Sequence, residues 1–221
     1  TPGGVLCSPV GDFEAKGAST GDNGSATLAG LNRPSAVAVA ADGTLYLAEH
    51  DGHKIRCVSP RGIITTYAGT GVAGFAGDDG PASSAQFSFD VEYPAKIDLD
   101  ANGILLIADR ANGRIRAINT ATGVISTVAG KGTFGYSGDG TWGTAGEFGG
   151  PVYGVACTPK GNFMIADPFN YKGRDLTVNF TSATGVNVAV PISTEATITF
   201  DSVVASGDIS IDRAPNSEKP A

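Results

Sequence analysis

The feature that most constrains this sequence is an internal repeat with a period of about 60 residues. Each copy opens on a proline and then alternates small or polar residues with apolar ones, the two-residue period of a β-strand. A turn dipeptide follows, and Asp42-Gly43 and Asn102-Gly103 favour a tight hairpin because both central turn positions need positive φ. The third copy has Lys160-Gly161 there. The copies of this first strand are 34–39, 94–99 and 151–156.

Three more strand segments follow in each copy, and the first of them, which is the second strand of the copy, ends in an acidic residue: Glu49, Asp109 or Asp167. Four short antiparallel strands per copy are typical of a propeller blade. We therefore predict an all-β fold of three four-stranded blades in an incomplete ring. The predicted strands are 45–49, 54–58 and 63–68, then 105–109, 114–118 and 124–129, then 163–167, 176–180 and 186–190.

The long connections between blades repeat as well, with an acidic glycine-rich loop in each. These loops lack the alternating oxygen ligands and terminal Glu of an EF-hand, so calcium is not favoured. We expect turn chemistry instead, with glycine supplying positive φ and aspartate bonding its own backbone. The matching loops are Gly21-Asp22-Asn23-Gly24, Gly77-Asp78-Asp79-Gly80 and Gly138-Asp139-Gly140.

This pattern resembles the NHL repeat family over about residues 20–190. The resemblance rests on "LNRPSAVAVAADGTLYLAEHDGHKIRCV", "TYAGTGVAGFAGDDGPASSAQF", "ANGILLIADRANGRIRAI" and "ISTVAGKGTFGYSGDG". It weakens in the third copy, where 168–173 replaces the compact turn and 175–180 lacks the basic alternation. The resemblance implies a β-propeller, usually six-bladed, but no particular function. It divides the chain into an N-terminal segment (1–20), blades (21–191) and a β-strand tail (192–221).

Composition narrows the classes of partner. The chain has 221 residues, a net charge of −7 and a pI of about 4.7, so phosphate backbones are repelled and nucleic acid is not expected. No apolar run is long enough to span a bilayer. The chain starts at Thr1 without a signal peptide, which indicates a processed product or a fragment. Cys7, Cys57 and Cys157 lack zinc-ligand spacing, leaving buried thiols or one disulfide plus a free thiol.

Few residues of this sequence are candidates for metal binding or catalysis. Glu49, Asp109 and Asp167 could ring a cavity and bind a cation such as Ca²⁺, but we favour a structural role in capping the following turn. His50 and His53, the two histidines of the chain, share one turn, which favours a solvated turn over metal or acid–base use. No catalytic triad or phosphate-binding loop is visible, and no cofactor is expected.

Three blades cannot close a ring, because propellers need about four or more. The exposed blade faces must be covered, either by the rest of a longer protein or by another copy of the chain. The tail offers two further strand segments for addition to a neighbouring sheet edge. Two identical self-complementary contacts would close a dimer, whereas a head-to-tail contact would give a fibre, and the tail contact, which differs from a blade face, favours the fibre. The tail residues expected to fill pockets are Ile198, Phe200, Ile209 and Ile211.

The leading hypothesis is a secreted structural or interaction protein, located outside the cell or at its surface, whose partners are its own copies or other extracellular proteins. Asn23 and Asn179 lie in N-glycosylation sequons, which fit that location. We expect no enzymatic activity. The alternative is a fragment of an NHL-type enzyme, a metal-dependent lyase or hydrolase, which would need His and Asp to converge at the blade tips.

Overall fold

The computed structural model describes residues 8–89, 94–158, 161–177, 179–180 and 186–187. These residues form short strands and three-residue 3-10 helices, and they contain no α-helix. No helix in this part is long and apolar enough to cross a membrane. The strands are β1 (Gly24–Ser25), β2 (Pro34–Val39), β3 (Leu45–Glu49), β4 (Lys54–Val58), β5 (Ile63–Ala68), β6 (Gly80–Pro81), β7 (Lys96–Leu99), β8 (Ile104–Asp109), β9 (Arg114–Asn119), β10 (Val124–Ala129), β11 (Gly154–Cys157), β12 (Asn162–Asp167), β13 (Lys172–Thr177), β14 (Asn179–Phe180) and β15 (Val186–Asn187).

The first two copies of the repeat form two antiparallel sheets of the same topology. Blade 1 has the strand order β1-β5-β4-β3-β2, and blade 2 has the order β6-β10-β9-β8-β7. The eight strands predicted for these copies are confirmed, with ends that match or shift by one or two residues. The hairpin between β2 and β3 closes where predicted, but positive φ occurs only at Gly43 (90°) and not at Asp42 as well. The Asp42 side chain instead accepts a hydrogen bond at Oδ1 from the Thr44 amide.

Each of these sheets has a fifth, outermost strand that the repeat pattern did not predict. β1 and β6 belong to the connection that precedes the blade, and each pairs with the last strand of that same blade. Ser25 lies opposite Ile63, and Gly80 lies opposite Ile125. Each connection is thus a structural part of the blade that follows it.

Blade 3 comprises β11, β12 and β13, and its third strand corrects the sequence analysis. The prediction of 176–180 was wrong, because β13 runs over Lys172–Thr177 and its first residue lies opposite Asp167. The 3-10 helix Pro168–Asn170 and a left-handed Tyr171 reproduce the turn Arg110–Asn112 and Gly113 of blade 2. Only part of the predicted fourth strand appears among the described residues, as β15 paired with β14.

Successive blades pack face to face through apolar side chains. The first strands β2, β7 and β11 are neighbours across the blade boundaries, as expected for inner strands around a propeller axis. The core between blades 1 and 2 includes Tyr46, Ala48, Ile55, Ile97 and Leu105. The core between blades 2 and 3 includes Leu106, Ala108, Ile115, Phe163 and Ile165. The three blades do not close into a ring.

Candidate functional site

The three repeat-equivalent carboxylates are buried, and each faces an arginine of its own blade. The arginines lie on the third strand, at equivalent positions in the three sheets. The carboxylates are therefore not gathered at a common cavity, and the described residues contain no group of three or more His, Cys, Asp or Glu placed to hold a metal. The oxygen-to-Nη1 distances are 3.0 Å for Glu49–Arg56, 3.4 Å for Asp109–Arg116 and 3.6 Å for Asp167–Arg174.

A second carboxylate reaches each arginine from the connection that precedes the blade. Sequence analysis assigned these loop aspartates to their own backbone, whereas the structure places their side chains on the guanidinium groups. The glycines beside them do have positive φ, as expected. The oxygen-to-Nη2 distances are 2.7 Å for Asp22–Arg56, 2.7 Å for Asp78–Arg116 and 2.8 Å for Asp139–Arg174.

Backbone carbonyl groups of the same connection accept further bonds from each arginine. Arg116 donates to the carbonyl oxygens of Ala76 and Gln86, while Arg56 donates to those of Thr20 and Gly30. A planar guanidinium suits this task because it presents several donors in a fixed geometry. We call each set of one arginine, two carboxylates and carbonyl acceptors an arginine clamp. The clamp fastens a connection to its blade.

The strand-end carboxylates also accept backbone N–H bonds, but from a segment other than the one predicted. The donors are the amides of Asn32, Ser88 and Gly149, which lie in the connection before the blade and not in the following turn. The following turn contributes a side-chain amide, from Asn112 to Asp109 at 2.9 Å. Burial raises the pKa of Asp109 to about 6, against the opposing hydrogen bonds and the charge of Arg116.

The two histidines lie against an aromatic side chain at the edge of blade 1. His50 was expected in a solvated turn, but it is 1% exposed, with its ring stacked 6.5 Å from that of Phe89. His53 accepts a hydrogen bond from the Phe89 amide at Nδ1, and burial lowers its pKa. Arg110 occupies the position equivalent to His50 in blade 2 and is equally buried, beside the Tyr153 ring. Packed side chains therefore fill these two blade tips.

The sheet face of blade 1 that points away from blade 2 is partly open. Val37 and Val39 of β2 are 58% and 61% exposed. On blade 2 the equivalent Ile97 is 8% exposed, because it packs against blade 1. The N-terminal segment covers the outer part of this face, where Val58 and Ile64 are buried. Leu45 and Leu47 lie at the margin of the covered part and are partly buried. We call Val37, Val39, Leu45 and Leu47 the open face of blade 1.

The other residues singled out by sequence have the following positions. Cys57 and Cys157 are half-buried free thiols, so these two do not bond each other, and burial raises the pKa of both. Asn23 is exposed in a left-handed turn at φ 65°, and Asn179 lies in β14. Cys7 and the tail residues Ile198, Phe200, Ile209 and Ile211 lie outside the described residues.

The fold and the repeated arginine clamp define a protein built from β-propeller blades. A structure of a structural genomics protein from Bacteroides thetaiotaomicron is similar, with a TM-score of 0.50, 20% identity and coverage of 61% of this chain and 32% of that one. Virginiamycin B lyase from Staphylococcus aureus is more distant, with a TM-score of 0.43, 16% identity and coverage of 65% and 38%. Likeness at this level concerns the fold alone.

The first part of the chain is similar to an NHL-type repeat domain. The model of the Teneurin NHL domain matches residues 3–75, which include blade 1 and the segment before it. Among curated proteins, SUPPRESSOR OF QUENCHING 1, chloroplastic, from Arabidopsis thaliana is 38% identical over 99 residues. That match covers 44% of this chain and 9% of the plant protein, so the chain spans a small part of this relative.

Proposed function

We propose that this chain is an extracellular interaction scaffold that associates through the faces of its NHL-type blades. The observation that carries the proposal is the open face of blade 1. Val37 occupies the position at which blade 2 buries Ile97 against a neighbouring blade, and Val39 occupies that of the partly buried Leu99. Exposed apolar side chains of this kind favour contact with a partner over contact with water.

Binding is favoured over catalysis by what surrounds the acidic residues. The strand-end carboxylates are engaged by arginine and by backbone amides, which favours a role in supporting the fold. A hydrolase or lyase site needs acid, base or metal ligands that converge. The histidines that could contribute, His50 and His53, both belong to blade 1 and lie against Phe89.

The proposed extracellular location has two supports of different kinds. The chain resembles the Teneurin NHL domain in its first third. Asn23, the acceptor residue of one N-glycosylation sequon, is exposed. The net charge of −7 disfavours nucleic acid as a partner. The partners proposed are copies of the chain or other extracellular proteins.

The test is the mass of the purified chain, measured by light scattering from about 1 to about 200 µM, the range in which contacts of modest area associate. A scaffold that self-associates gives a mass above 22.2 kDa that rises with concentration. A constant monomer mass contradicts self-association. The enzyme alternative is supported instead if a metal-dependent turnover is found and His50→Ala abolishes it.

A further inference from the structure

The turn between the second and third strands differs in blade 1 from its copies in blades 2 and 3. In each of the three blades it ends on a residue in the left-handed region: His53 at φ 48°, Gly113 at φ 58° and Tyr171 at φ 56°. Of these three residues, the histidine alone has an acceptor nitrogen whose protonation changes near neutral pH. Blade 1 therefore carries a titratable acceptor at a position where blades 2 and 3 have none in that range.

The connection between blades 1 and 2 also departs from its copy, and it does so where it contacts this turn. Ser88 and Gly149 are equivalent, because each amide donates to the strand-end carboxylate of the blade that follows. The next residue is Phe89 in the first connection and Gly150 in the second. Phe89 is 2% exposed, and its ring lies 5.9 Å from the His53 ring. The two departures from the repeat are thus in contact with each other.

The hydrogen bond between Phe89 and His53 requires a neutral imidazole. The Phe89 amide donates to His53 Nδ1 over 3.3 Å. A backbone amide can only donate, so Nδ1 must accept and the proton of the neutral ring must lie on Nε2. Protonation of Nδ1 turns the acceptor into a second donor and removes the bond. Burial lowers the pKa of His53, which agrees with a contact made by the neutral ring.

The charged group of blade 1 that acts on His53 is the carboxylate of Asp51, in the same turn. Its charge opposes the effect of burial on the His53 ring. This carboxylate is bound by Arg33, with 3.2 Å between Nη1 and Oδ1, and His50 Nε2 lies 3.7 Å from the same oxygen. The acid nearest to His53 among the described residues therefore has partners of its own.

The charged group on the blade 2 side is Asp109, which accepts the amide of the preceding residue, Ser88, at 2.8 Å. Burial raises the pKa of Asp109 to about 6, so it titrates in the same pH region. A protonated carboxyl group still has an acceptor oxygen, whereas a protonated imidazole has no acceptor left. Of these two neighbouring amides, acid therefore removes the acceptor of Phe89 and leaves one for Ser88.

We propose that the hydrogen bond from Phe89 to His53 is an acid-sensitive latch that holds the connection before blade 2 to the tip of blade 1. The latch is closed while His53 is neutral and opens when Nδ1 takes up a proton. It does not depend on the proposed scaffold function. A released histidine has a pKa of about 6.5, and the latched one titrates lower. The latch therefore has its full strength above about pH 6.5 and weakens as the pH falls below that value, by up to about tenfold per pH unit.

Hydrogen exchange of the full chain, resolved by residue with NMR at about pH 7.5 and about pH 5.5, tests the latch. The rates are corrected for the intrinsic pH dependence of amide exchange. The protection of the Phe89 amide is expected to fall by up to about tenfold between the two conditions. The Ser88 amide is the internal control, and its protection should stay. The imidazole signals of His53 should titrate with the same midpoint as the loss of protection at Phe89.

Two substitutions at the left-handed position separate the titration from the shape of the turn. His53→Asn keeps a side-chain acceptor that does not titrate, in a residue that tolerates positive φ. The Phe89 amide of this variant should be protected at both pH values. His53→Gly reproduces the residue of blade 2 and removes the acceptor, so the same amide should be weakly protected at both pH values. Circular dichroism checks that the strands persist in both variants.

Several results would overturn the latch. One is equal protection of the Phe89 amide at the two pH values in the native chain. Another is a loss of protection that Ser88 shares, or that is as large in His53→Asn as in the native chain. If either variant fails to fold, the native chain still decides, because a His53 midpoint that differs from that of Phe89 protection contradicts the proposal. None of these results concerns the mass of the particle, so the proposed function is tested separately.

Discussion

At the scale of single residues, the arginine clamp is the feature that sequence reasoning missed. The sequence shows basic residues at alternate positions of the third strand. It does not show their carboxylate partners, which come from the end of the second strand and from the connection before the blade. Glu49 lies seven residues before Arg56 and Asp22 lies 34 before it. Without coordinates, acidic residues at those distances look like independent turn residues. The acidic residue at the end of the second strand was found, but its arginine partner was not.

The clamp predicts a large loss of stability when one arginine is removed. Arg116→Met leaves the buried Asp109 without its counter-ion, and this is expected to lower the free energy of unfolding by about 3–5 kcal/mol. Urea denaturation of the purified chain measures the difference. Arg61→Met serves as the control, because Arg61 is exposed, and it should change stability by about 0.5 kcal/mol or less. Equal effects of the two substitutions would contradict a clamp.

At the scale of elements, the alternation of apolar residues and the turn dipeptides were enough to predict the strands wherever the turns had residues typical of turns. Eight strands of blades 1 and 2 follow from them. The third strand of blade 3 was predicted wrongly because Tyr171 occupies a left-handed position that Gly113 occupies in blade 2. A tyrosine gives no sign of positive φ, so the turn looked unlike its copies. Lys172 and Arg174 keep the basic alternation that the sequence analysis judged to be absent.

The backbone strain at this turn can be tested by substitution. Tyr171 has φ 56° and is 95% exposed, so its side chain contributes little packing while its Cβ opposes the backbone conformation. Tyr171→Gly is expected to raise the free energy of unfolding by about 1 kcal/mol. Tyr171→Ala keeps the Cβ and should show no comparable gain. Thermal and urea denaturation of the three proteins give the comparison, and a gain in the alanine variant would point to the ring instead.

At the scale of the whole molecule, the sequence predicted three blades and an open ring, but not which surfaces remain open. That depends on side chains far apart in the chain. Val37 and Ile97 look alike in sequence, yet Val37 is exposed and Ile97 is buried, because within the described part of the chain Ile97 packs against a neighbouring blade.

The tail offers a prediction at this scale. If the open face of blade 1 makes the contact between copies, deleting 192–221 leaves their association intact, because that face lies within the blades. Strand addition by Ile198, Phe200, Ile209 and Ile211 predicts smaller particles after the same deletion. Light scattering on the intact and shortened chains distinguishes the two. A monomeric shortened chain would support the tail hypothesis and contradict contact through blade 1 alone.

The pairing of each connection with the blade that follows it has a consequence for how such arrays lengthen by gene duplication. The strand β6 and the carboxylate of Asp78 both serve blade 2, although they precede its first strand. A duplicated segment that starts at the first strand of a blade would lack the loop aspartate, so the arginine of that blade would keep only one of its two carboxylate partners. A segment spanning 69–129 would carry the strand, the aspartate and the arginine together. The segment that can be duplicated with all these contacts therefore begins in the loop before a blade and ends with the last strand of that blade.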